Sequence, residues 1–104
     1  MGVSKLLKDY LQGRHIVLEQ GKSTLALEPS YWLMMEYLAE IDGVEDWREW
    51  FYLNVYPIFD RDVSLAAHTR LIITTSLLQD LEEMREKHDL GRLEVKRMEN
   101  IATF

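Results

Sequence analysis

The residues best suited to chemistry lie in one short segment whose side chains alternate in character. Lys22, Thr24 and Ala26 alternate there with Leu25 and Leu27. Successive side chains of a β-strand point to opposite faces, so a strand would place the first three together. They offer a cationic donor, a hydroxyl that donates or accepts, and methyl groups for apolar contact. The segment therefore indicates a face for binding rather than for catalysis.

The chain shows no residue pattern typical of an enzyme or a metal site. It contains no cysteine, and His15, His68 and His88 are far apart, with no ligand-like neighbour at helical spacing. A glycine-rich phosphate loop and a nucleophile elbow are both missing from the sequence. We therefore expect no enzymatic activity, no metal and no cofactor.

Length and charge restrict the candidate functions further. The 104 residues favour a single domain, and the net charge of −6 argues against a general nucleic-acid binder. Two segments, 22–30 and 64–79, nevertheless contain only one acidic residue, Glu28, and so would not repel a phosphate. No run of about 18 apolar residues and no secretion signal occur, so we expect a soluble cytoplasmic protein that does not bind a membrane.

The hydrophobic pattern predicts a mainly α-helical fold with a short β-ribbon, an α+β class. Pro29, Asp46 and Ser64 are each typical of a helix start, and Gly91 is expected to interrupt the last helical pattern. The predicted strands lie at about 14–19 and 22–27, and the predicted helices at about 29–41, 46–56 and 64–87.

Three segments follow from this pattern: an N-terminal helical arm at 1–13, a main domain at 14–81, and a C-terminal tail or docking element at 88–104. The first part of the third helix is apolar on several sides, which is typical of a buried helix. In a chain of this length, that burial favours a second subunit.

A single short strand needs a partner strand. If two copies of the chain pair segment 22–27 antiparallel, a two-stranded ribbon forms, with Lys22, Thr24 and Ala26 presented twice on one face. Such a ribbon fits the major groove of DNA, where these side chains can contact base edges, thymine methyl groups or phosphates. An ordinary edge strand with a polar outer face has the same periodicity, and periodicity alone favours that simpler interpretation.

The sequence RHIVLEQGKSTLALEPSYW, followed by LAEIDG, resembles the ribbon-helix-helix DNA-binding family. It is most similar to a bacterial branch whose strand reads basic-x-Thr/Ser-Ser-apolar-x-Leu-Glu, followed by Pro-x-Phe-Trp. The matching positions are Lys22, Ser23, Thr24, Leu25, Leu27, Glu28, Pro29, Tyr31 and Trp32, with Tyr in place of Phe. VSLAAHTRLII is similar to a later motif of that branch, Leu-Ser-Ser-Ala-aliphatic-Arg, through Val63, Ser64, Ala67 and Arg70. The resemblance covers roughly residues 14–81.

The resemblance implies a ribbon-helix-helix-like intertwined homodimer in which the helix at about 46–56 is an insertion. It also implies a helix N-terminus that holds a DNA phosphate. We assign this role to Ser64, because the helix after it begins without charge while the helix at 46 begins among carboxylates. Arg14 and Arg61 are the other expected phosphate contacts. The expected dimer core comprises Leu25, Leu27, Trp32, Leu71 and Ile72.

These features predict a sequence-specific transcriptional regulator of the bacterial or phage type, which binds double-stranded DNA as a homodimer or as a higher assembly on DNA. Lys22, Thr24 and Ala26 are the expected base-contacting residues. With so few cations, we expect modest non-specific affinity and a shallow salt dependence. The alternative is a protein-interaction module or antitoxin-like protein with the same dimer fold and weak or no DNA binding. Its protein partner would bind the acidic helix or the C-terminal tail.

Overall fold

Two antiparallel strands form a hairpin at the start of the fold. In this computed structural model, which describes the backbone of residues 10–102 and the side chains of residues 10–92, β1 (Gln12–Leu18) pairs with β2 (Gly21–Leu27). The register sets Val17 opposite Lys22 and His15 opposite Thr24. Gly21 completes the tight reversal with a φ of 124°, a conformation that favours glycine.

The hairpin removes one sequence-based argument for a second subunit. β2 finds its ladder partner in β1 of the same chain, so the two-stranded ribbon does not need two copies of segment 22–27. The physical reason is the two-residue turn, which closes a very short loop at small entropic cost. β1 also begins at Gln12, inside the predicted N-terminal helical arm. Residues 1–9 of that arm lie outside the described residues.

Three helices follow the hairpin: α1 (Pro29–Ile41), α2 (Trp47–Asn54) and α3 (Leu65–Ala102). Proline occupies the first turn of α1, and the Asp46 side chain accepts a hydrogen bond from the Glu49 amide at the start of α2. A short 3-10 turn, Tyr56–Ile58, comes after α2. The predicted fold class, mainly α with a short β-ribbon (α+β), is confirmed, and the ribbon is an N-terminal antiparallel hairpin.

The predicted end of the last helix, near residue 87, is wrong. α3 continues through Gly91 to Ala102, so the predicted tail is helical over that range. A glycine inside a helix costs only about 1 kcal/mol relative to alanine, and Leu90 and Arg92 on either side are good helix formers. One glycine was therefore too weak a signal to end the helix.

The chain divides into two compact units, with the division between Thr74 and Thr75 within α3. The first unit contains the hydrophobic core, which combines the inner face of the hairpin with residues from all three helices. Its buried apolar residues are Ile16, Leu25, Leu27, Trp32, Met35, Leu38, Ala39, Trp50, Phe51, Val55 and Ile73. Among the described residues, no helix is both long enough and apolar enough to cross a membrane.

Candidate nucleic-acid interface

The side of the hairpin that points away from the core, here called the outer face, combines side chains from both strands. It consists of three opposed pairs: Gly13–Ala26, His15–Thr24 and Val17–Lys22. All of these residues are exposed except Ala26, which is half-buried. The structure thus brings the three predicted base-contacting residues of β2 onto one accessible face, and the six outer-face residues include no carboxylate.

β1 adds two side chains to this face that the sequence did not single out. His15 Nδ1 lies 3.4 Å from Thr24 Oγ1, and Val17 is exposed beside Lys22. Gly13 gives the Thr24 side chain room, because a Cβ at this position would come within 2.8 Å of the Thr24 methyl carbon and force it to move. The turn at residues 19 and 20 is the sequence signal that could have identified these β1 residues. A two-residue turn fixes which residues of the two strands lie opposite each other.

A surface depression of about 440 Å³ lies beside the outer face. Its lining combines the cations of Lys22 and Arg48 with the imidazole of His15 and with Ile16 and Val17. None of these five residues is acidic, although the whole chain carries a net charge of −6. The depression is therefore a local cationic region in an acidic protein.

Arg14, one of the predicted phosphate contacts, lies on the opposite side of the hairpin from His15. Its guanidinium packs 4.5 Å from the Trp32 ring centroid, and its Nη1 is 2.9 Å from Glu36 Oε1. Alternation along β1 explains this placement, because residues 14 and 15 must face opposite ways. The structure gives Arg14 a packing role and does not bring it to the outer face.

The other two predicted phosphate contacts, Arg61 and Ser64, lie in and after the loop that precedes α3. Arg61 is exposed, and its Nη2 is 3.6 Å from Glu19 Oε2. Ser64 is exposed and caps α3 by accepting a hydrogen bond from the Ala67 amide at 3.0 Å. The first turn of α3 contains no acidic residue. The N-terminus of α3 therefore has an uncharged cap, Ser64, and no acidic side chain in its first turn.

The predicted dimer-core residues divide into two groups. Leu25, Leu27 and Trp32 are buried within the single chain, so they fill its own core. Ile72 is half-buried, and Leu71 retains 62% of its accessible surface. Only the α3 residues of the predicted set therefore offer apolar surface to a second subunit.

The two edges of the hairpin differ. At the β1 edge, the Tyr52 hydroxyl accepts from the Val17 amide at 2.8 Å and donates to the Val17 carbonyl at 2.9 Å. The Tyr56 hydroxyl accepts from the Glu19 amide at 3.3 Å. Side chains from α2 and the 3-10 turn therefore cap the β1 edge.

The β2 edge lacks an equivalent cap. Both backbone groups of Val17 point away from β2, so Val17 and its partner Lys22 form a non-hydrogen-bonded pair of the antiparallel ladder. The pattern repeats every second residue, which turns the backbone groups of Lys22, Thr24 and Ala26 outward. Within residues 10–102, no hydrogen bond to these groups is found. The β2 edge can therefore accept another strand.

One ion pair joins the end of β2 to α3. Arg70 donates from Nε and Nη2 to the two carboxylate oxygens of Glu28, each at 2.9 Å. Hydrogen bonding from Arg70 lowers the pKa of the Glu28 carboxyl below its usual value, against a smaller opposing effect of burial. These two residues belong to the two separate motifs that carried the family resemblance.

The order of elements, a β-hairpin followed by helices, is compatible with a ribbon-helix-helix-like topology. No protein-family model, no curated protein and no solved structure matches the chain.

Proposed function

We propose that this protein is a sequence-specific DNA-binding transcriptional regulator that acts as a homodimer and inserts a two-stranded β-ribbon into the major groove. The observation that carries the proposal is the outer face itself. Lys22, Thr24 and His15 are exposed there on a two-stranded ribbon without a carboxylate, in a chain of net charge −6. A β-ribbon of two strands has the width that the major groove admits.

The open β2 edge supports pairing with a second copy. An uncapped strand edge is a template for another strand, and two β2 edges related by a two-fold axis can satisfy each other. The result is a four-stranded sheet in the order β1, β2, β2, β1. Its two central strands present Lys22, Thr24 and Ala26 twice, in the symmetric arrangement that a palindromic site requires.

Exposed apolar residues on α1 also support a second subunit. Leu33, Tyr37 and Ile41 follow one another at intervals of four residues and retain 50%, 54% and 64% of their accessible surface. Residues at this spacing lie on one side of a helix. A stripe of this kind opposite the buried side of α1 is typical of a helix that packs on both sides in an assembly.

The N-terminus of α3 is the proposed phosphate contact outside the ribbon. The first amides of a helix have no acceptor within the helix, and the helix dipole favours an anion there. At α3 the cap is uncharged Ser64 and the first turn contains no acidic residue. This end therefore supports a phosphate better than the start of α2, where Asp46 and Glu49 lie.

The test begins with selection of a binding site from a library of randomised duplex DNA. Fluorescence anisotropy then compares the wild type with Lys22→Ala and with the control Lys87→Ala, which removes an exposed lysine of α3. We expect Lys22→Ala to lose at least tenfold in affinity for the selected site, because each good base contact contributes about 1–3 kcal/mol of discrimination. Lys87→Ala should bind like the wild type. Equal binding by all three proteins, or no enriched sequence, would contradict the proposal.

A protein-interaction function is the second candidate, and the exposed apolar residues of the second unit favour it. Leu78, Leu81, Met84 and Leu90 are exposed on α3, and Leu90 lies in the C-terminal segment 89–104. Deletion of residues 89–104 separates the outcomes. An antitoxin-like protein should keep its DNA affinity and lose a co-purifying partner, whereas a chain that needs this segment for folding should lose its helical circular dichroism signal.

A further inference from the structure

Arg48 is a cation that the sequence placed in an acidic setting. Its neighbours in the chain are Glu45, Asp46 and Glu49, which made this segment appear unsuitable for an anion. The structure separates the charges. The Asp46 carboxylate accepts from the Glu49 amide at 3.0 Å, and the Glu49 carboxylate accepts from the Glu45 amide at 2.8 Å. These two acidic side chains thus bond to the backbone at the start of α2, and neither lines the depression beside the outer face.

The Arg48 side chain extends from α2 to the β1 edge. Its guanidinium carbon lies 4.7 Å from the Trp47 ring centroid, and its Nη2 lies 3.5 Å from the His15 carbonyl oxygen. Stacking on an aromatic ring orients a guanidinium and still leaves most of its N–H donors free. Arg48 is exposed, and it lines the depression together with Lys22 and His15.

The proposed four-stranded sheet predicts what this edge would meet on DNA. Strands lie about 4.8 Å apart, so the two β1 strands would be separated by about 14 Å. The major groove is about 12 Å wide. The central β2 strands therefore reach the base edges, while each β1 edge lies over the phosphodiester backbone that borders the groove.

We propose that Arg48, with His15 on the adjacent β1 edge, forms a binding site for a backbone phosphate of duplex DNA at the border of the major groove. This inference rests on the proposed DNA-binding function and deepens it. Arg48 is the charged donor that can form paired hydrogen bonds with phosphate oxygens. The inserted helix α2 thereby supplies the phosphate contact that the sequence assigned to Arg14. The contact positions the ribbon and carries no sequence preference of its own.

The experiment measures affinity for the selected duplex between 50 and 200 mM salt. It compares wild type, Arg48→Gln, Arg48→Lys and the control Arg85→Gln, which removes an exposed arginine of α3. We expect Arg48→Gln to flatten the slope of log K against log salt by about 1.8, the value for two phosphate contacts per dimer. Its loss of affinity across this salt range should then be about twelvefold smaller than that of the wild type. Arg48→Lys should keep the wild-type slope because it keeps the charge, and Arg85→Gln should match the wild type.

The outcomes distinguish this site from the proposed function. A wild-type slope in Arg48→Gln, with site-specific binding intact, would overturn the phosphate site alone. Equal flattening in Arg48→Gln and Arg48→Lys would overturn it as well, because it would show a packing role rather than a charge contact. A wild-type protein that binds no duplex would overturn both proposals. The sequence preference of Arg48→Gln should be unchanged, and an altered preference would contradict a backbone contact.

Discussion

The Glu28–Arg70 pair shows how two side chains connect distant parts of the sequence. The residues are 42 positions apart, and both guanidinium bonds are 2.9 Å long. Each side chain is only about 30% exposed, so solvent screens this pair less than it screens an ion pair on the open surface. The pair therefore fixes the end of β2 against α3.

We expect Arg70→Gln to lower the free energy of unfolding by about 1 kcal/mol at neutral pH. Arg70 lowers the pKa of Glu28 in the folded state, so the pair's contribution is fully present above the unfolded-state pKa of Glu28. It is lost as the pH falls through the lowered folded-state pKa. The difference between wild type and variant, measured by urea unfolding, should therefore shrink in acid.

Arg61→Gln is the matched control for this prediction. The Arg61–Glu19 pair is highly exposed and its atoms are 3.6 Å apart, so its removal should leave stability unchanged. A loss in Arg61→Gln as large as in Arg70→Gln, or a difference that persists at low pH, would show that the Glu28 pair is not the cause.

The sequence predicted the candidate site only for residues whose placement follows from the alternation of side chains along one strand. Lys22, Thr24 and Ala26 share a face because they are two residues apart, and the structure places them so. The β1 residues that lie beside them could be identified only from the register between the two strands, which the sequence of one strand does not reveal. Arg48 could not be identified either, because its position depends on how α2 packs against the hairpin.

At the level of secondary structure, α2 and the 3-10 turn protect one edge of the hairpin. The Tyr52 hydroxyl satisfies both backbone groups of Val17, and the Tyr56 hydroxyl binds the amide of Glu19. Natural proteins often cover sheet edges to prevent further strand addition. Protection of β1 alone therefore restricts strand pairing to β2, which favours a closed dimer over an open chain of subunits.

We expect Tyr52→Phe to lower the free energy of unfolding by about 1 kcal/mol, because it removes two hydrogen bonds to backbone groups that water can partly replace. It should also produce species larger than a dimer at high concentration, because both sheet edges are then open. Chemical denaturation and sedimentation velocity measure the two effects. Tyr10→Phe removes an exposed hydroxyl for which the described residues provide no partner, and serves as control. Identical stability and association of the two variants would contradict the protection of the β1 edge by the Tyr52 hydroxyl.

The sequence predicted where helices begin better than where they end. Pro29, Asp46 and Ser64 start helices through a fixed backbone angle or a side-chain hydrogen bond, and these are local effects. Gly91 did not end α3, because its cost of about 1 kcal/mol is small beside the contributions of a long helix. Residues that fix the local backbone geometry therefore predicted the helix starts correctly, whereas a glycine with a cost of about 1 kcal/mol did not predict a helix end.

For the whole molecule, the exposed apolar residues of α1 support association. Leu33, Tyr37 and Ile41 lie on one side of that helix. We expect Leu33→Lys to weaken the homodimer at least tenfold, since it introduces a charge into the proposed apolar contact. Ile58→Lys changes an equally exposed apolar residue in the 3-10 turn and should leave association unchanged.

Sedimentation equilibrium over a range of protein concentrations measures this dimer constant. The DNA affinity of Leu33→Lys should fall at low protein concentration and recover when the concentration is raised, because binding then depends on dimer formation. A wild type that remains monomeric at every concentration would contradict the proposed homodimer.

The proposed function requires that the outer face of the hairpin contacts DNA. The most direct measurement is a titration of the ¹⁵N-labelled protein with the selected duplex, followed by amide chemical shifts. We expect the largest changes at His15, Val17, Lys22 and Thr24, with smaller changes at Arg48 and at Ser64, where α3 begins. Shifts confined to the second unit, around Leu78–Met84, or no shifts at saturating duplex, would contradict it.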